Sequence, residues 1–339
     1  MVDARELVEA FFFRDVHSRV FMGTASDRYA GWVGQIYTPD CYSGRISGRT
    51  KALAGSTFEE QVLPVASVRE YFEHFAVLEL DFTFYRPLLD ARLKPTANYY
   101  VLRTYRKNMA PESRVLVKVP QVVFARKLWR DGEFVSNADY LNHELFAHRF
   151  YEPAVEILGN MLAGFVFEQE YQTKRDKVSP REHAASLDSF FERLPPDDRY
   201  HCEIRTQNLL TRDFFDVLRR RGVGQVLSHW TWLPGLWKQF QLGGKLFSNS
   251  GGQCVIRLMT PRGMRYEEAY EKAFPFAALR NDMLQPQMVS ETVALMHEAV
   301  GRGVGINVIV NNRSGGNAPM IAREISRAFL TPAPRALGA

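Results

Sequence analysis

The sequence has few cysteines and no motif that pairs them. Of its 339 residues only three are cysteines, and Cys41, Cys202 and Cys254 lie far apart without a C-x-x-C pair. This spacing argues against a disulfide framework and against a structural zinc site. Free thiols are typical of a reducing compartment, so we expect a cytoplasmic protein.

Long apolar runs and an excess of one charge are also absent. No run of 18 apolar residues occurs, so we expect no transmembrane helix and no membrane partner. Asp3, Glu6 and Glu9 make the first residues unlike a secretory signal peptide. The 43 Lys and Arg residues against 38 Asp and Glu give a net charge of +5, which by itself implies neither nucleic acid nor a membrane as partner. With 46% apolar and 24% charged residues, the composition excludes collagen-like, disordered and coiled-coil classes.

Several motifs of known chemistry are missing from the chain. It contains no H-x-H, H-E-x-x-H, G-x-S-x-G, P-loop or G-x-G-x-x-G pattern. We therefore expect no metal, no cofactor and no serine nucleophile. A metal held across strands by Glu79, Glu203 and His229 is the less favoured alternative.

Eight short apolar runs rich in β-branched residues recur along the chain, and their length suits buried strands. Stretches of helical period separate them, which favours parallel strands joined by helical crossovers. Eight such units in a chain of this length predict an α/β fold, a TIM-type (β/α)8 barrel, with a doubly wound open sheet as the competing architecture. The runs are residues 19–24, 76–81, 114–119, 163–169, 201–205, 225–229, 254–258 and 305–312.

Capping signals bound several of the predicted helices. Ser67 and Glu70 form a capping box. Thr211 precedes an amphipathic stretch that Gly222 ends, and Asn317 precedes the last helix.

The helices and strands form one predicted domain over residues 1–330, followed by a disordered tail over residues 331–339. Two long loops, residues 29–67 and 230–252, follow predicted strands. Barrels place their functional residues in such loops.

Polar side chains stand near the ends of several predicted strands. Side chains alternate along a strand, so Glu79 and Asp81 share a face. Because the carboxyl ends of barrel strands meet at one mouth, we expect a pocket there with Glu79 and Glu203 as catalytic acid–base groups. The other expected ligand-binding residues at the strand ends are Asp81, Lys118, Gln169, Arg205, Arg257, Asn311 and Asn312.

These charges have two interpretations, and the sequence leaves both open. They suit an anionic or sugar-like ligand and supply acid–base groups. Alternatively, the carboxylates and cations pair as a structural network, because buried charges must be compensated.

Glycines and aromatic residues add two further candidates. Gly315 and Gly316 lie before the last helix, where backbone N–H groups can bind an anion; the alternative is a turn that only leads into the helix. Tyr37 and Tyr85 are candidates for a wall that stacks on a ligand, or they pack the loop against the barrel.

At these residues the chain resembles the family catalogued as domain of unknown function 72, also called YecE-like. Residues 23–37 follow the pattern G-T-x-x-x-x-Y-x-x-W-x-G-x-x-Y, residues 79–85 resemble E-x-N-x-T-F-Y, and residues 311–319 follow N-N-x-x-x-G-x-A-P. Shorter matches are the K-x-P of Lys118 and Pro120, the strand-four Gln169, the V-E-x-R with Glu203 and Arg205, and the strand-seven Arg257.

The resemblance implies a TIM-type barrel and no established reaction. The chain departs from the family at several positions: Asp81 replaces an asparagine, Asp27 replaces an aromatic residue, and Thr206 replaces a histidine. It is therefore identified as a divergent member of the family with several pocket residues changed.

Three functions follow as hypotheses. The first is a barrel protein with a polar ligand pocket, acting as a metal-independent acid–base enzyme (hydrolase, lyase or isomerase) on an anionic or sugar-phosphate-like substrate, although the sequence leaves catalysis itself open. The second is nucleic-acid binding or processing, favoured by a pI near 9.0 and the aromatic loop residues. The third is a non-catalytic scaffold. The oligomeric state is not specified by the sequence.

Overall fold

Eight parallel strands close into a barrel in the computed structural model, which describes residues 3–130, 132–176 and 178–331. Every strand predicted from the apolar runs is present, shifted by a few residues at most, so the TIM-type barrel is confirmed. The barrel strands, numbered together with four hairpin strands in chain order, are β1 (Val20–Ala25), β4 (Val77–Leu80), β5 (Arg114–Lys118), β8 (Leu162–Gln169), β9 (Tyr200–Ile204), β10 (Gly224–His229), β11 (Gln253–Leu258) and β12 (Gly305–Val310).

Around the barrel the order of strands is β1, β12, β11, β10, β9, β8, β5 and β4, and β4 pairs again with β1. Helices surround it because each crossover must cover the outer apolar face of the sheet. The helices are α1 (Ala4–Glu9), α2 (Pro39–Tyr42), α3 (Val68–His74), α4 (Ala97–Asn108), α5 (Gln121–Phe124), α6 (His143–Phe146), α7 (Glu152–Leu158), α8 (Pro180–Glu192), α9 (Arg212–Arg221), α10 (Leu236–Leu242), α11 (Tyr266–Ala273), α12 (Pro286–Gly301) and α13 (Ala318–Leu330).

Two of the three helix caps are confirmed. The Thr211 hydroxyl accepts the backbone N–H of Phe214, and Gly222 ends α9 in the left-handed conformation with φ of 65°. Asn317 caps α13 by accepting the N–H of Met320 at 2.9 Å. The Ser67 cap is wrong: a 3-10 turn precedes α3, and the Ser67 side chain makes no capping bond.

The first long loop contains a hairpin that the sequence did not predict. Strands β2 (Ser47–Leu53) and β3 (Ser56–Val62) pair antiparallel, and a second hairpin is formed by β6 (Lys127–Arg130) and β7 (Glu133–Ser136). Phe58 anchors the first hairpin by packing edge-to-face on Tyr270 of α11, with ring centroids 4.9 Å apart. This contact fixes the hairpin beside the barrel mouth.

The barrel interior is filled in layers, as expected for this architecture. Near its amino end the Arg114 guanidinium lies 4.0 Å from the ring centroid of Phe21. Above that pair the interior is apolar, and its buried members are Ala25, Val77, Leu116, Val166, Val226, Val255 and Ile309. The layer above is ionic, and it forms the floor of the mouth.

Among the described residues, none of the helices combines the length and the apolar character that a membrane crossing requires. All three cysteines are free, with Cys202 and Cys254 buried and Cys41 exposed. The predicted tail lies, from residue 332 onward, outside the described residues.

Candidate functional site

The upper layer of the barrel interior is built from five charged side chains on five strands: Glu79 (β4), Lys118 (β5), Glu168 (β8), Glu203 (β9) and Arg257 (β11). Alternation along each strand turns them inward, and all except Glu203 follow a member of the apolar layer by two residues. Glu168 and Glu203 stand opposite one another in the β8–β9 register. We call this set the ionic layer.

Arg257 joins the three carboxylates of the ionic layer. Its Nη2 donates to Glu79 Oε1 at 2.7 Å, and its Nη1 donates to Glu168 Oε2 at 2.7 Å and also to Glu203. The side chains of Arg257, Glu79 and Glu203 have no exposed surface. Planar guanidinium groups suit this role because they present several fixed donors to carboxylates.

The outer side of the ionic layer is closer to solvent. Lys118 Nζ lies 2.7 Å from Glu168 Oε2 and 3.6 Å from Asp81, whose side chain is 28% exposed. Arg205 Nη2 lies 2.8 Å from the same Glu168 oxygen, and its Nε donates to Glu203 at 3.0 Å. Aromatic rings flank both cations: the centroid of Phe84 lies 4.0 Å from Lys118 Nζ, and that of Trp230 lies 4.4 Å from the Arg205 guanidinium.

The carboxylates of the ionic layer differ in proton affinity. Burial favours the neutral form of Glu168, but Arg205, Lys118 and Arg257 outweigh it and hold its pKa well below its usual range. Burial likewise opposes ionisation of Glu203, and Arg205 and Arg257 still lower its pKa. For Glu79 burial prevails over Arg257 and raises the pKa to about 7. Glu79 is therefore the carboxyl of the layer that can change protonation near neutral pH.

Several buried polar atoms at this level have no hydrogen-bond partner among the described residues, and three of them matter for a ligand. They are Glu79 Oε2, Arg257 Nε and Asn311 Nδ2. Buried polar groups are nearly always paired, with protein, water or a ligand. These atoms are thus one acceptor and two donors with bonding capacity left, and all three are buried beneath the barrel mouth.

The structure brings six of the predicted site residues together. Glu79, Asp81, Lys118, Glu203, Arg205 and Arg257 all take part in the ionic layer or touch it. Glu168 was not among the predicted site residues, although it directly precedes the predicted Gln169. Gln169 lies on the other face of β8 and donates to the Tyr140 hydroxyl at 3.0 Å. The alternation of Val166 and Glu168 was the signal that identifies the inward residue.

Residues at the two ends of the family pattern hold the fold together. The indole of buried Trp32 donates to Asn312 Oδ1 at 3.1 Å, and the same oxygen accepts the N–H of Ala318 at 2.8 Å. The buried Tyr37 hydroxyl donates to the backbone oxygen of Asp27 at 2.6 Å. The side chains of Trp32, Tyr37 and Asn312 therefore have a structural role, which is to hold the first and last loops in place by packing and hydrogen bonding.

Gly315 and Gly316 use their backbone N–H groups within the turn. Both donate to the carbonyl of Asn312, at 3.3 and 2.6 Å, so neither is available to an anion there. Gly316 has φ of 101°, and a Cβ atom at this position would lie 2.4 Å from the Ala278 carbonyl oxygen. Close packing against residues 278–280 is therefore what requires glycine.

Tyr85 lies at the rim with 72% of its surface exposed. Its ring contacts Phe84 edge-to-face, with centroids 5.6 Å apart. It is the predicted aromatic residue that remains open to a ligand.

A cavity of about 630 Å³ lies beside the ionic layer, between the loop after β1, the first hairpin and residues 274–276. We call it the side cavity. Asp81 lines it and also lies 3.6 Å from Lys118, so the side cavity and the ionic layer share a wall. The sequence did not predict this cavity.

Asp27 is a buried carboxyl in the wall of the side cavity, 1% exposed. Its Oδ1 accepts the Tyr105 hydroxyl at 2.8 Å, and its Oδ2 has no partner among the described residues. Burial raises the pKa of Asp27 to about 6, against the weaker opposing effects of Tyr105 and Arg28.

We expect Asp27→Asn to stabilise the protein at alkaline pH. Between the pKa of 3.8 in the unfolded chain and about 6 in the folded one, the folded state binds more protons, so the free energy of unfolding falls as the pH rises. The asparagine keeps an acceptor for Tyr105 and removes this loss. Urea unfolding should show a gain of about 1 to 3 kcal/mol at pH 8 that shrinks towards pH 4.

Asp40→Asn serves as the control, because Asp40 is exposed on α2. It should leave the unfolding curves unchanged at every pH. A pH-independent effect of Asp27→Asn, or a loss of stability at pH 8, would contradict the burial of an ionisable Asp27.

No group of three or more His, Cys, Asp or Glu side chains within the described parts of the chain is arranged to hold a metal ion. Three of the carboxylates at the mouth already bind guanidinium or ammonium groups.

The closed barrel and the ionic layer at the carboxyl ends of its strands define a TIM-type (β/α)8-barrel protein with a polar mouth. More specifically, the chain belongs to the family described as protein of unknown function DUF72, whose model matches residues 21–336. The resemblance seen in the sequence is confirmed.

Solved structures of this family share the fold. A DUF72 family protein from Enterococcus faecalis V583, at 3.10 Å resolution, aligns with a TM-score of 0.54 and 15% identity, covering 93% of this chain and 97% of that chain. One from Thermotoga maritima MSB8, at 2.20 Å, aligns with a TM-score of 0.51 and 16% identity, covering 92% and 98%. The low identities agree with a divergent member of the family. At this level of identity the structural alignments establish the shared fold alone. None of the curated proteins matches the chain.

Proposed function

We propose that this protein binds a polyhydroxylated, sugar-like ligand at the barrel mouth and that Glu79 exchanges a proton with it. One observation carries the proposal: an ionic layer occupies the end of the barrel where (β/α)8 enzymes hold their substrates. Apolar side chains would fill that space without the desolvation cost, since replacing a buried ion network by apolar residues is often neutral or stabilising. Binding chemistry therefore explains the layer better than stability does.

The balance of charge favours a sugar-like ligand over an anionic one. Four carboxylates, counting Asp81, face three cations, and each cation already binds at least two carboxylates. An anion would compete with these bonds and add negative charge. Hydroxyl groups can both donate to Glu79 Oε2 and accept from Arg257 Nε or Asn311 Nδ2. These atoms are buried, so a ligand reaches them only when the residues that cover them move aside.

Glu79 is the proton-exchanging group of the proposal. General acid–base catalysis is most efficient when the pKa of the group lies near the working pH, and the pKa of Glu79 is raised to about 7 by burial. Glu203, the other expected catalytic carboxyl, has a lowered pKa and is held by two arginines. Its role in the proposal is to orient Arg257 and Arg205.

The test is a titration of glutamate side-chain carboxyls by carbon-13 NMR, comparing wild type with Glu79→Gln. One carboxyl should titrate near pH 7 in the wild type and be missing from the variant. Methyl glucoside should shift that titration, and glucose 6-phosphate should shift it less because of its phosphate charge.

Glu73→Gln is the matched control, since Glu73 is exposed on α3; it should leave the neutral titration in place. If no glutamate of the wild type titrates between about pH 6 and pH 8, Glu79 is not the proton-exchanging group. If neither sugar shifts the titration, the protein does not bind this class of ligand at the mouth. That result is the one expected of a non-catalytic scaffold.

Nucleic-acid binding remains an alternative hypothesis, and one surface favours it. The exposed residues Tyr100, Arg103, Arg106 and Lys107 of α4 border a shallow depression. Cations beside an aromatic ring suit a single-stranded nucleic acid. Glu156 in the same depression opposes it, and we rank this hypothesis second.

A further inference from the structure

The side cavity has the size of a ligand-binding pocket and lies apart from the ionic layer except for Asp81. Its volume of about 630 Å³ falls within the range of 300 to 1,000 Å³ typical of small-molecule sites. Its walls come from segments far apart in the sequence, including the first hairpin and residues 274–276.

Asp27, in the wall of this cavity, has a buried carboxylate oxygen that accepts no hydrogen bond from the described residues. Tyr105 binds Oδ1 and Tyr37 binds the backbone oxygen, while buried Oδ2 has no partner among the described residues. An unsatisfied buried acceptor costs about 1 to 3 kcal/mol. Ser26, the preceding residue, has φ of 66°, and strained backbone of this kind is concentrated at ligand sites. Asp27 thus keeps its position despite two unfavourable contributions to the free energy of folding, the unpaired oxygen and the strained backbone of Ser26.

The lining of the side cavity is acidic and aromatic. Four carboxylates line it against two arginines, but Glu60 pairs with Arg49 and Lys51, and Asp81 pairs with Lys118. Among the described residues Asp27 and Glu59 therefore carry negative charge without an ion pair, and Arg28 Nε donates to the carbonyl of Leu63 at 2.5 Å. Such a surface repels an anion and attracts a cation, and ring faces add to the attraction. The aromatic lining residues are Tyr29, Phe82, Tyr105, Phe274 and Phe276.

We propose that the side cavity binds a ring-bearing organic amine, whose ammonium N–H donates to Oδ2 of Asp27 while its ring packs among the aromatic walls. The ammonium satisfies the unpaired oxygen and balances the acidic lining at once. This ligand is distinct from the sugar-like ligand of the mouth, and the proposal stands whether or not Glu79 exchanges a proton.

The test uses three probes that share one ring and differ in the head group. Isothermal titration calorimetry at pH 7.5 should detect binding of phenethylamine, weaker binding of 2-phenylethanol, and none of 3-phenylpropionate. Burial holds the pKa of Asp27 at about 6, so the carboxyl is largely ionised at that pH. Asp27→Asn should weaken phenethylamine binding at least about tenfold, as expected for a lost bond to a charged group.

Two further variants separate binding at Asp27 from other effects. Val101→Phe places a ring in the side cavity without replacing Asp27 and should abolish binding of phenethylamine and 2-phenylethanol alike; Val101 lines the cavity. Asp40→Asn, on the exposed surface, should bind as wild type does. Equal affinity for the three probes, unchanged affinity in Asp27→Asn, or a wild-type Kd for phenethylamine above about 10 mM would overturn the proposal.

Discussion

Arg257→Met is expected to be the most damaging single substitution in the ionic layer. The guanidinium binds Glu79, Glu168 and Glu203 in the barrel interior, and its own side chain is fully buried. Removing one partner of a buried ion pair leaves uncompensated charge and costs about 3 to 5 kcal/mol. Urea unfolding at pH 7, followed by circular dichroism, should show a loss of this size.

The loss should depend on pH in a direction that identifies its cause. Without Arg257 the three carboxylates are held less strongly in the ionised form, so their pKa values rise in the folded state. The variant then binds more protons when folded than when unfolded, and its deficit should shrink as the pH is lowered towards 5. A packing defect would not respond to pH in this way.

Arg212→Met is the matched control, because Arg212 is 91% exposed on α9 and pairs with Asp216 only at 3.7 Å. It should change stability by less than about 0.5 kcal/mol. Should Arg257→Met fail to fold, Arg257→Lys keeps the charge with fewer donors and should lose less. Equal losses in Arg257→Met and Arg212→Met would contradict the ionic layer.

The barrel could be predicted from the sequence because each strand is a short apolar run that is buried on both faces. Such a run is recognisable from its own residues, whatever segments pack against it. The same topology places Glu79, Lys118 and Arg257 together without any local motif. The order of strands gives the level of each residue along the barrel, which was enough to predict four members of the ionic layer but not Glu168.

The first hairpin and the side cavity depend on contacts between distant residues, which no local sequence pattern predicts. The first hairpin has polar strands, so its position rests on Phe58 reaching Tyr270 far along the chain. The side cavity forms only when this hairpin and residues 274–276 meet the loop that holds Asp27. In the sequence Asp27 appears as a departure from the family pattern; its burial and its unpaired oxygen become visible only after folding.

The ionic layer also shows why similar residues near one another in sequence differ in role. Glu168 and Gln169 are adjacent, but alternation sends one to Lys118 in the barrel interior and the other to Tyr140 outside it. Asn311 and Asn312 are adjacent too, and their carbonyl oxygens differ in partner. Asn312 Oδ1 accepts from Trp32, and Asn311 Oδ1 accepts the N–H of Arg313, while neither Nδ2 has a partner among the described residues. Local geometry therefore decides which polar residue can serve a ligand.

Gly23→Ala should disrupt both the barrel and the site. A Cβ atom on Gly23 would lie 2.0 Å from the backbone oxygen of Val77 and 2.6 Å from its Cγ1. That oxygen belongs to Val77 of β4, which stands opposite Gly23 of β1 in the strand register. It also accepts the Tyr71 hydroxyl at 2.8 Å. A backbone atom cannot rotate away, so β4 must move, and we expect a loss of at least about 3 kcal/mol in urea unfolding.

The displacement should reach Glu79, which follows Val77 by two residues on the same inward face of β4. Moving Glu79 away from Arg257 Nη2, now 2.7 Å from it, removes the contact that opposes burial, so the neutral glutamate titration should move to higher pH. Gly48→Ala on β2 is the control, since its Cβ would meet nothing within 4 Å, and it should alter neither measurement. A stable Gly23→Ala protein with an unchanged titration would mean that β1 and β4 are not packed as closely as this.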